Sequence, residues 1–330
     1  MSEKKLRAAI VGTGSCLPER VLTNHDLEKM VDTSDEWIFT RTGIRERRVV
    51  ANGQVTSDLG AEAARRALAN AGVRPEEVSL LITATITPDY FFPSTSCMIQ
   101  QKIGAVNTGG FDLSAACAGF VYAVIMAGRL IESDPKQTAL VVGAETLTKV
   151  TDYTDRTSCI LFGDGAGAVV MRACSDGRGL MASEYGIDGS GGDYMKLPAG
   201  GSAMPASERT IRERLHYMRV RGRETFKFAV IKMADLVQAA LRDSGLTMDD
   251  VALIVPHQVN VRILQAAAER LDVGMDKIYC NIDRVGNTSA ASVPIALDEA
   301  AKSGRIRKGD IVVMVAFGGG VSWSSAVVRW

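Results

Sequence analysis

The chain has 330 residues, 46% of them hydrophobic, with 38 basic and 38 acidic residues and a formal net charge of zero. That length allows a large buried core, as one big domain or two closely packed ones, and the neutral balance argues against a nucleic-acid partner. Six scattered cysteines (16, 97, 117, 159, 174, 280) with no CxxC pair argue against disulfides and zinc, so a reducing cytoplasm is expected.

The first apolar stretch follows a charged Met1–Lys5 and is short, interrupted by Gly12 and Gly14. It reads as a strand and not as a signal peptide. Residues 67–82 read as a helix, a stop at Gly72, an acidic turn and a buried strand. Residues 240–255 repeat that pattern around Gly245, at a constant offset of 173. A strand over 110–113 then leads into Ser114-Ala115-Ala116-Cys117-Ala118-Gly119. A cysteine at a strand-to-helix corner meets the free N–H groups and the positive end of the helix dipole, which favour the nucleophilic thiolate. The following helix, to about residue 133, is broken by Arg129 and is expected to be too short for a membrane. A strand over 139–143 comes next. Phe162-Gly163-Asp164-Gly165 opens a further strand to Met171, echoed by Phe317-Gly318-Gly319-Gly320 and a strand to Val328. The spacing of Gly163-Asp164-Gly165-Ala166-Gly167 is not GxGxxG, and it precedes a strand, so a dinucleotide site is not read from it.

Residues 176–225 are Gly- and Ser-rich and lie outside the repeat, so they are expected to form a surface insertion over the site. From Ser207 to Lys232 there are eight basic residues against three acidic. That run is either a solvated face or a landing patch for an anionic partner. His257 follows the strand 251–255 directly. Asn287, in Gly286-Asn287-Thr288-Ser289-Ala290-Ala291-Ser292, opens a helix over about 288–303. Alone, each reads as structural. With Cys117, each at a strand end, they suggest a nucleophile flanked by two polar side chains. The expected organisation is therefore two similar α/β halves, 1–175 carrying Cys117 and 176–330 carrying His257 and Asn287, with a site shared at their pseudo-twofold axis.

With these residues laid out, the chain resembles the β-ketoacyl-acyl-carrier-protein synthase III family from about residue 8 to the end. The resemblance rests on Asp32-Thr33-Ser34-Asp35-Glu36-Trp37-Ile38, Arg41-Thr42-Gly43-Ile44-Arg45-Glu46-Arg47, Ala115-Ala116-Cys117-Ala118-Gly119-Phe120, Phe162-Gly163-Asp164-Gly165, Pro256-His257-Gln258, the Gly286–Ser292 run and Phe317-Gly318-Gly319-Gly320. It implies the thiolase fold, two pseudo-symmetric α/β halves in a five-layered α-β-α-β-α sandwich. It implies Cys117 as acyl acceptor, His257 and Asn287 as donors to the malonyl thioester oxygen, and an oxyanion hole from the N–H groups of Cys117 and Gly320. It further implies coenzyme-A contacts at Thr33, Trp37, Arg41 and Arg156, carrier-protein contacts at Gln258, Arg262, Arg221 and Arg223, and a primer pocket at Phe92 and Phe317. The substrates would be acetyl-coenzyme A or another short acyl-coenzyme A and a malonyl-acyl carrier protein. No cofactor, metal, nucleic acid or membrane would be involved, and the protein would be a homodimer. The segment 199–216 is longer than the family's usual insertion.

Three alternatives differ on particular residues. A thiolase needs a second cysteine in the 317–320 segment, which has none. A hydroxymethylglutaryl-type synthase needs a glutamate in the short run around Cys117. A ketosynthase of secondary metabolism shares the same three residues and differs in its primer.

Overall fold

The computed structural model describes residues 6–319 and 322–330, except for the side chains of residues 223–225, 227 and 228. Thirteen strands occur among them. In the first part of the chain these are β1 (Arg7–Cys16), β2 (Arg20–Thr23), β3 (Glu46–Val49), β4 (Leu80–Ala84), β5 (Gly109–Leu113), β6 (Thr138–Thr146) and β7 (Asp164–Cys174). The remainder are β8 (Gly179–Ile187), β9 (Met195–Lys196), β10 (Arg219–Val220), β11 (Val251–Pro256), β12 (Ile311–Gly318) and β13 (Ser322–Arg329).

Two mixed sheets form the frame. The first has the order β1-β7-β6-β4-β5 and the second β11-β12-β13-β8. In both, two neighbours run parallel (β4 with β6, β11 with β12) and the hairpin strand runs antiparallel to the middle one. A single bridge from Ile254 to Ile278 stands where the second sheet would carry a fifth strand. Helices Gly119–Ser133 and Ser292–Lys302 lie between the sheets, and one apolar cluster joins them to the inner faces of both. Helices Thr56–Ala71 and Thr95–Ile103 cover the outer face of the first sheet, and Gly222–Ser244 and Val261–Leu271 that of the second. The result is the five-layered thiolase sandwich.

Strands covered on both faces read as continuous apolar runs, and every residue of β6 is buried. The stretch from Ala116 to Ser133 has the length and apolarity of a membrane span. Here it is the central helix, with Phe120, Val121 and Val124 wholly buried. Phe120→Ala would cost about 3–5 kcal/mol from the cavity left behind. The second central helix packs close enough on the first sheet to require glycine: a Cβ on Gly143 would lie 2.4 Å from the Ala290 carbonyl oxygen, and one on Gly167 2.7 Å from Ile295 N.

The repeated stretch takes one conformation twice. Gly72 and Gly245 both end their helices left-handed, at φ 63° and 68°, with the next N–H (Val73, Leu246) reaching back to Leu68 and Leu241. Both are followed by a 3-10 turn and a buried strand. One boundary differs from the sequence expectation. The segment 176–225 opens with a core strand, since β8 pairs with β13 from Gly179 to Ile187. Glycines at 177, 179 and 186 disguise it as loop. The part lying outside both sheets runs from 188 to about 221, holding the β9–β10 ribbon and a short helix, Glu208–Arg212.

Candidate active site

Cys117 sits on a strained corner. β5 ends at Leu113, Ala116 takes a left-handed φ of 48° although it carries a side chain, and a 3-10 turn leads into the central helix. Such a backbone costs on the order of 1–3 kcal/mol and persists where the surroundings hold it. The same corner recurs at Ser289, φ 47°, followed by a second 3-10 turn and the second central helix. Residues 116 and 289 are 173 apart, the spacing that separates Gly72 from Gly245.

The second half brings its groups against this corner. His257 follows β11, its N–H bonded to the Val315 carbonyl at 2.8 Å. Its ring is buried, meets Phe317 edge-on at 5.7 Å, and has Nδ1 2.7 Å from Ser292 Oγ. Burial lowers its pKa to about 3, so the imidazole is neutral. With Nδ1 accepting from the Ser292 hydroxyl, Nε2 carries the proton and is a donor. Asn287 is pinned by its backbone, N–H to Leu161 O and C=O from Gly163 N–H, and its Oδ1 accepts from Ser289 N–H. That bond turns the amide's NH2 outward as the free donor.

The thiol behaves differently from the sequence expectation. Cys117 is 4% exposed, and burial pushes its pKa up to about 12, with the Glu145 carboxylate raising it further. The Ser289 hydroxyl and the N–H groups of Cys117 and Gly319 oppose this and lose. Desolvation outweighs the helix terminus, and the Cys117 side chain rests as a thiol.

Glu145, at the end of β6, escaped the sequence reading. It is wholly buried, and burial raises its pKa to about 7. It accepts from Thr87 Oγ1 at 2.6 Å, Thr85 Oγ1 at 3.2 Å and the backbone N–H groups of Ile86 and Thr87. The Ser289 hydroxyl faces both Glu145 and Cys117 and lowers the pKa of each, yet makes no full hydrogen bond among the described residues. A charged residue ending an otherwise apolar strand was the available signal. Ser292 was quoted in a motif without a role; its contact with His257 spans 35 residues and exists only in the fold.

Two cavities flank the corner. One of about 240 Å³ reaches from Asn287 and Phe162 to Trp37 and Arg41. At its mouth the Arg41 and Arg156 guanidiniums lie 4.3 and 5.0 Å from the Trp37 ring centre, and Arg156 pairs with Asp32 at 3.3 Å. The Thr33 hydroxyl nearby in sequence is sealed from solvent and meets no hydrogen-bond partner among the described residues. The other cavity, about 470 Å³, opens on Ala115, Ala116 and Gly319. Met195, on the ribbon, lines both.

Three expected contacts fall elsewhere. Gln258 is fully buried, its amide donating to the Pro256 and Tyr279 carbonyls and accepting from Asn281 N–H. It ties the end of β11 to the 279–281 segment and has no face to offer a docked carrier. Phe317 packs behind the His257 ring and lines neither cavity. Phe92 is 87% exposed and lines neither cavity. Arg262 is exposed in the first turn of its helix, 5.8 Å over Phe226, and Arg221 is exposed in the insertion. Gly320 and the Arg223 side chain lie outside the described residues.

Residues 111–189 match the 3-oxoacyl-[acyl-carrier-protein] synthase III family, and residues 241–330 match the C-terminal region of the same family. A β-ketoacyl-[acyl-carrier-protein] synthase III of Caldanaerobacter subterraneus subsp. tengcongensis is 52% identical over 99% of both chains. One of Clostridioides difficile is 50% identical over 98% of both. The chain belongs to the β-ketoacyl-acyl-carrier-protein synthase III family. The crystal structure of the Aquifex aeolicus synthase III superposes with a TM-score of 0.90 at 44% identity, covering 98% of this chain and 100% of that one. This synthase is thus an acyl-transferring condensing enzyme of the kind that initiates type II fatty-acid synthesis, and the secondary-metabolism alternative is disfavoured.

Proposed function

We propose that Cys117, His257 and Asn287 carry a ping-pong condensation of a short acyl-coenzyme A with malonyl-acyl carrier protein. The observation behind this is the strained Cys117 corner, with Ser289 facing its sulfur, Asn287 held to the Ser289 N–H and the His257 ring held to Ser292 of the same helix-opening run. Cys117 Sγ attacks the thioester carbonyl, the bond to coenzyme A breaks, and the thiol proton leaves with the coenzyme A thiol. The Cys117 N–H at the turn, with Gly320, serves the oxyanion. Malonyl-carrier protein then loses carbon dioxide. His257 Nε2–H and the Asn287 amide donate to the enolate oxygen, and the carbanion attacks the acyl carbonyl on Cys117, breaking its bond to Sγ so that the β-ketoacyl-carrier protein leaves and the thiolate takes a proton from water. Both donors are neutral, so neither leaves an uncompensated buried charge before the enolate forms.

The 240 Å³ cavity suits the pantetheine arm, with the adenine at Trp37. Arg156 covers that ring in the free protein, and its ion pair with the fully exposed Asp32 is weak enough to be displaced. Arg41 lines the same cavity, and a role for Thr33 in holding coenzyme A belongs to the same reading. Arg262 and Arg221, with Arg223, would meet an acidic carrier. A homodimer is supported by the free edge of the first sheet, where Gly109, Gly110 and Phe111 on β5 are exposed near Phe91 and Phe92. The cytoplasm is supported by six unpaired cysteines, and the family draws on substrates, not cofactors, for its chemistry.

The test is intact mass after incubation with acetyl-coenzyme A. An acetyl gain on the wild type, absent in Cys117→Ala and discharged by malonyl-acyl carrier protein, is the expected result. Acetylation of Cys117→Ala would overturn the assignment.

A further inference from the structure

Among the described residues, Arg47 is the largest side chain wholly closed off from water. Its guanidinium donates to three neutral acceptors: Nη1 to Asn24 Oδ1 at 2.9 Å and to the Leu22 carbonyl at 3.2 Å, and Nη2 to the Ile160 carbonyl at 2.7 Å. Its Nε meets no partner among the described residues. Burial lowers its pKa to about 10, which leaves it charged at neutral pH. Buried charges are ordinarily paired with an opposite charge, because desolvation is costly. An apolar side chain would fill the same space at less cost, so what the guanidinium adds is a rigid fork of donors.

One prong of the fork holds the backbone around Asn287. Leu161, next to Ile160, accepts from Asn287 N–H at 2.9 Å, and Gly163 N–H donates to the Asn287 carbonyl at 3.0 Å. Residues 161–163 thus grip Asn287 on both sides of its backbone. The stem of Arg47 lies against the same segment. A Cβ on Gly163 would stand 3.0 Å from Arg47 Cβ, and one on Gly286 would stand 3.1 Å from it. Gly286, at φ 66° and ψ −161°, takes a conformation open essentially to glycine alone. The other prong holds Asn24, whose Nδ2 donates to Asp35 Oδ1 at 2.8 Å and to the Ile44 carbonyl at 2.7 Å. Asp35 opens the helix Asp35–Thr42, which carries Trp37 and Arg41 at the mouth of the 240 Å³ cavity. One buried side chain therefore joins the rim of that cavity to the backbone that holds Asn287.

Building on the reading of Asn287 as amide donor, we infer that Arg47 is a positioning residue for that donor: it fixes the 160–163 segment, and with it the Asn287 amide, at a set distance from the rim where the thioester arm enters. Arg47 touches no reacting atom. Its weight comes from geometry, since a misplacement of about 1 Å costs roughly a hundredfold in rate. The loss should fall on malonyl decarboxylation, which uses the amide, and spare acylation of Cys117, which does not.

The experiment is a double-mutant cycle on the full chain: wild type, Arg47→Met, Asn287→Ala and the double variant. The readouts are decarboxylation of malonyl-acyl carrier protein and single-turnover acylation by acetyl-coenzyme A. Methionine fills the space of the arginine stem and leaves no buried charge behind. In the wild-type background Arg47→Met should slow decarboxylation roughly ten- to a hundredfold, with the KM for malonyl-acyl carrier protein and the acylation rate within a few-fold. In the Asn287→Ala background the same change should have almost no further effect, because the group that Arg47 positions is gone. A general loosening of the fold would instead multiply through in both backgrounds. Should Arg47→Met fail to fold, as read by circular dichroism, Arg47→Lys carries the same cycle, since it keeps the charge and loses the fork. Decarboxylation at the wild-type rate in the Arg47 variant, equal fold-losses in both backgrounds, or acylation falling as far as decarboxylation would each overturn the inference and leave Asn287 as the donor. Unimpaired decarboxylation in Asn287→Ala would remove the underlying reading as well.

Discussion

Two corners of this molecule have the same backbone and opposite contents. The first runs through Ser114, Ala116 and Cys117, and the second through Asn287, Ser289 and Ala290. Each pair of positions is 173 residues apart, and both corners place a left-handed residue before a 3-10 turn and a central helix. Cys117 of one corner answers to Ala290 in the other, and Asn287 answers to Ser114. The pattern extends to the strand ends. His257 answers to Ala84, and Glu145 to Gly318. Duplication supplied two frames able to hold a strained turn, and each half kept a different part of the chemistry. On the proposed roles the reacting centre draws on both frames, and neither half holds it alone.

The comparison breaks most visibly at the donor corner. Asn287→Asp places a carboxylate where the enolate forms, and malonyl decarboxylation should fall by roughly a hundred- to a thousandfold. Acylation of Cys117 by an acyl-coenzyme A should stay within a few-fold, as read by intact mass in single turnover. Equal loss of both steps would show that the corners do not divide the work.

The strand ends offer a second test. Gly318 lies over the first corner, and a Cβ there would sit 2.9 Å from Cys117 N and 3.0 Å from the Ala115 carbonyl oxygen. Gly318→Ala should therefore push the turn off its geometry and slow acylation by roughly ten- to a hundredfold, since displacing backbone costs on the order of 1–3 kcal/mol. An acylation rate like the wild type's would mean that the close approach has no catalytic weight.

His257 sharpens the comparison through stability. Its folded pKa is depressed from 6.5 to about 3, so the unfolded chain binds the proton more readily within that window. Stability from this group is present above pH 6.5 and is lost as pH falls toward 3. Between neutral pH and pH ~5, wild type should lose about 2 kcal/mol relative to His257→Gln, by denaturant titration of both. Parallel curves for the two proteins would contradict a neutral buried imidazole.

The smallest effect belongs to Glu145. With the thiol held up to about 12, alkylation of Cys117 by iodoacetamide should rise about tenfold per pH unit, without a plateau below pH ~10. Glu145→Gln removes a charge that disfavours the thiolate and should raise the rate a few-fold at one pH, with the slope preserved. A plateau near neutral pH in the wild type would show that the helix terminus, not burial, governs the thiol.

Much of this architecture is written locally. The 173-residue repeat, the Gly stops at 72 and 245, the buried strands and the placing of Cys117 and His257 after β5 and β11 all depend on neighbours within a few positions, and a reader of the chain finds them; Asn287, expected at a strand end, instead follows the short helix Ile282–Val285. The family motifs added residue roles that spacing could not supply. Other features depend on pairs distant in the chain. β8 hides among glycines, and only its pairing with β13 makes it a core strand. Gln258 sits in a family motif, yet the 279–281 segment closes over it and removes it from the surface. Cys117 has a helix start beside it in sequence, which favours thiolate. In the folded protein the second half covers it, and loss of water costs the charged form more than the dipole returns. Sequence alone determined the repeat and the corners at which Cys117, His257 and Asn287 stand, because those are properties of short segments. The tertiary structure decided their protonation, the Ser292 contact that orients His257, the burial of Glu145 and the volume beside the nucleophile. Each of these is set by what packs against a group from the other half, and desolvation and cavity shape have no local code.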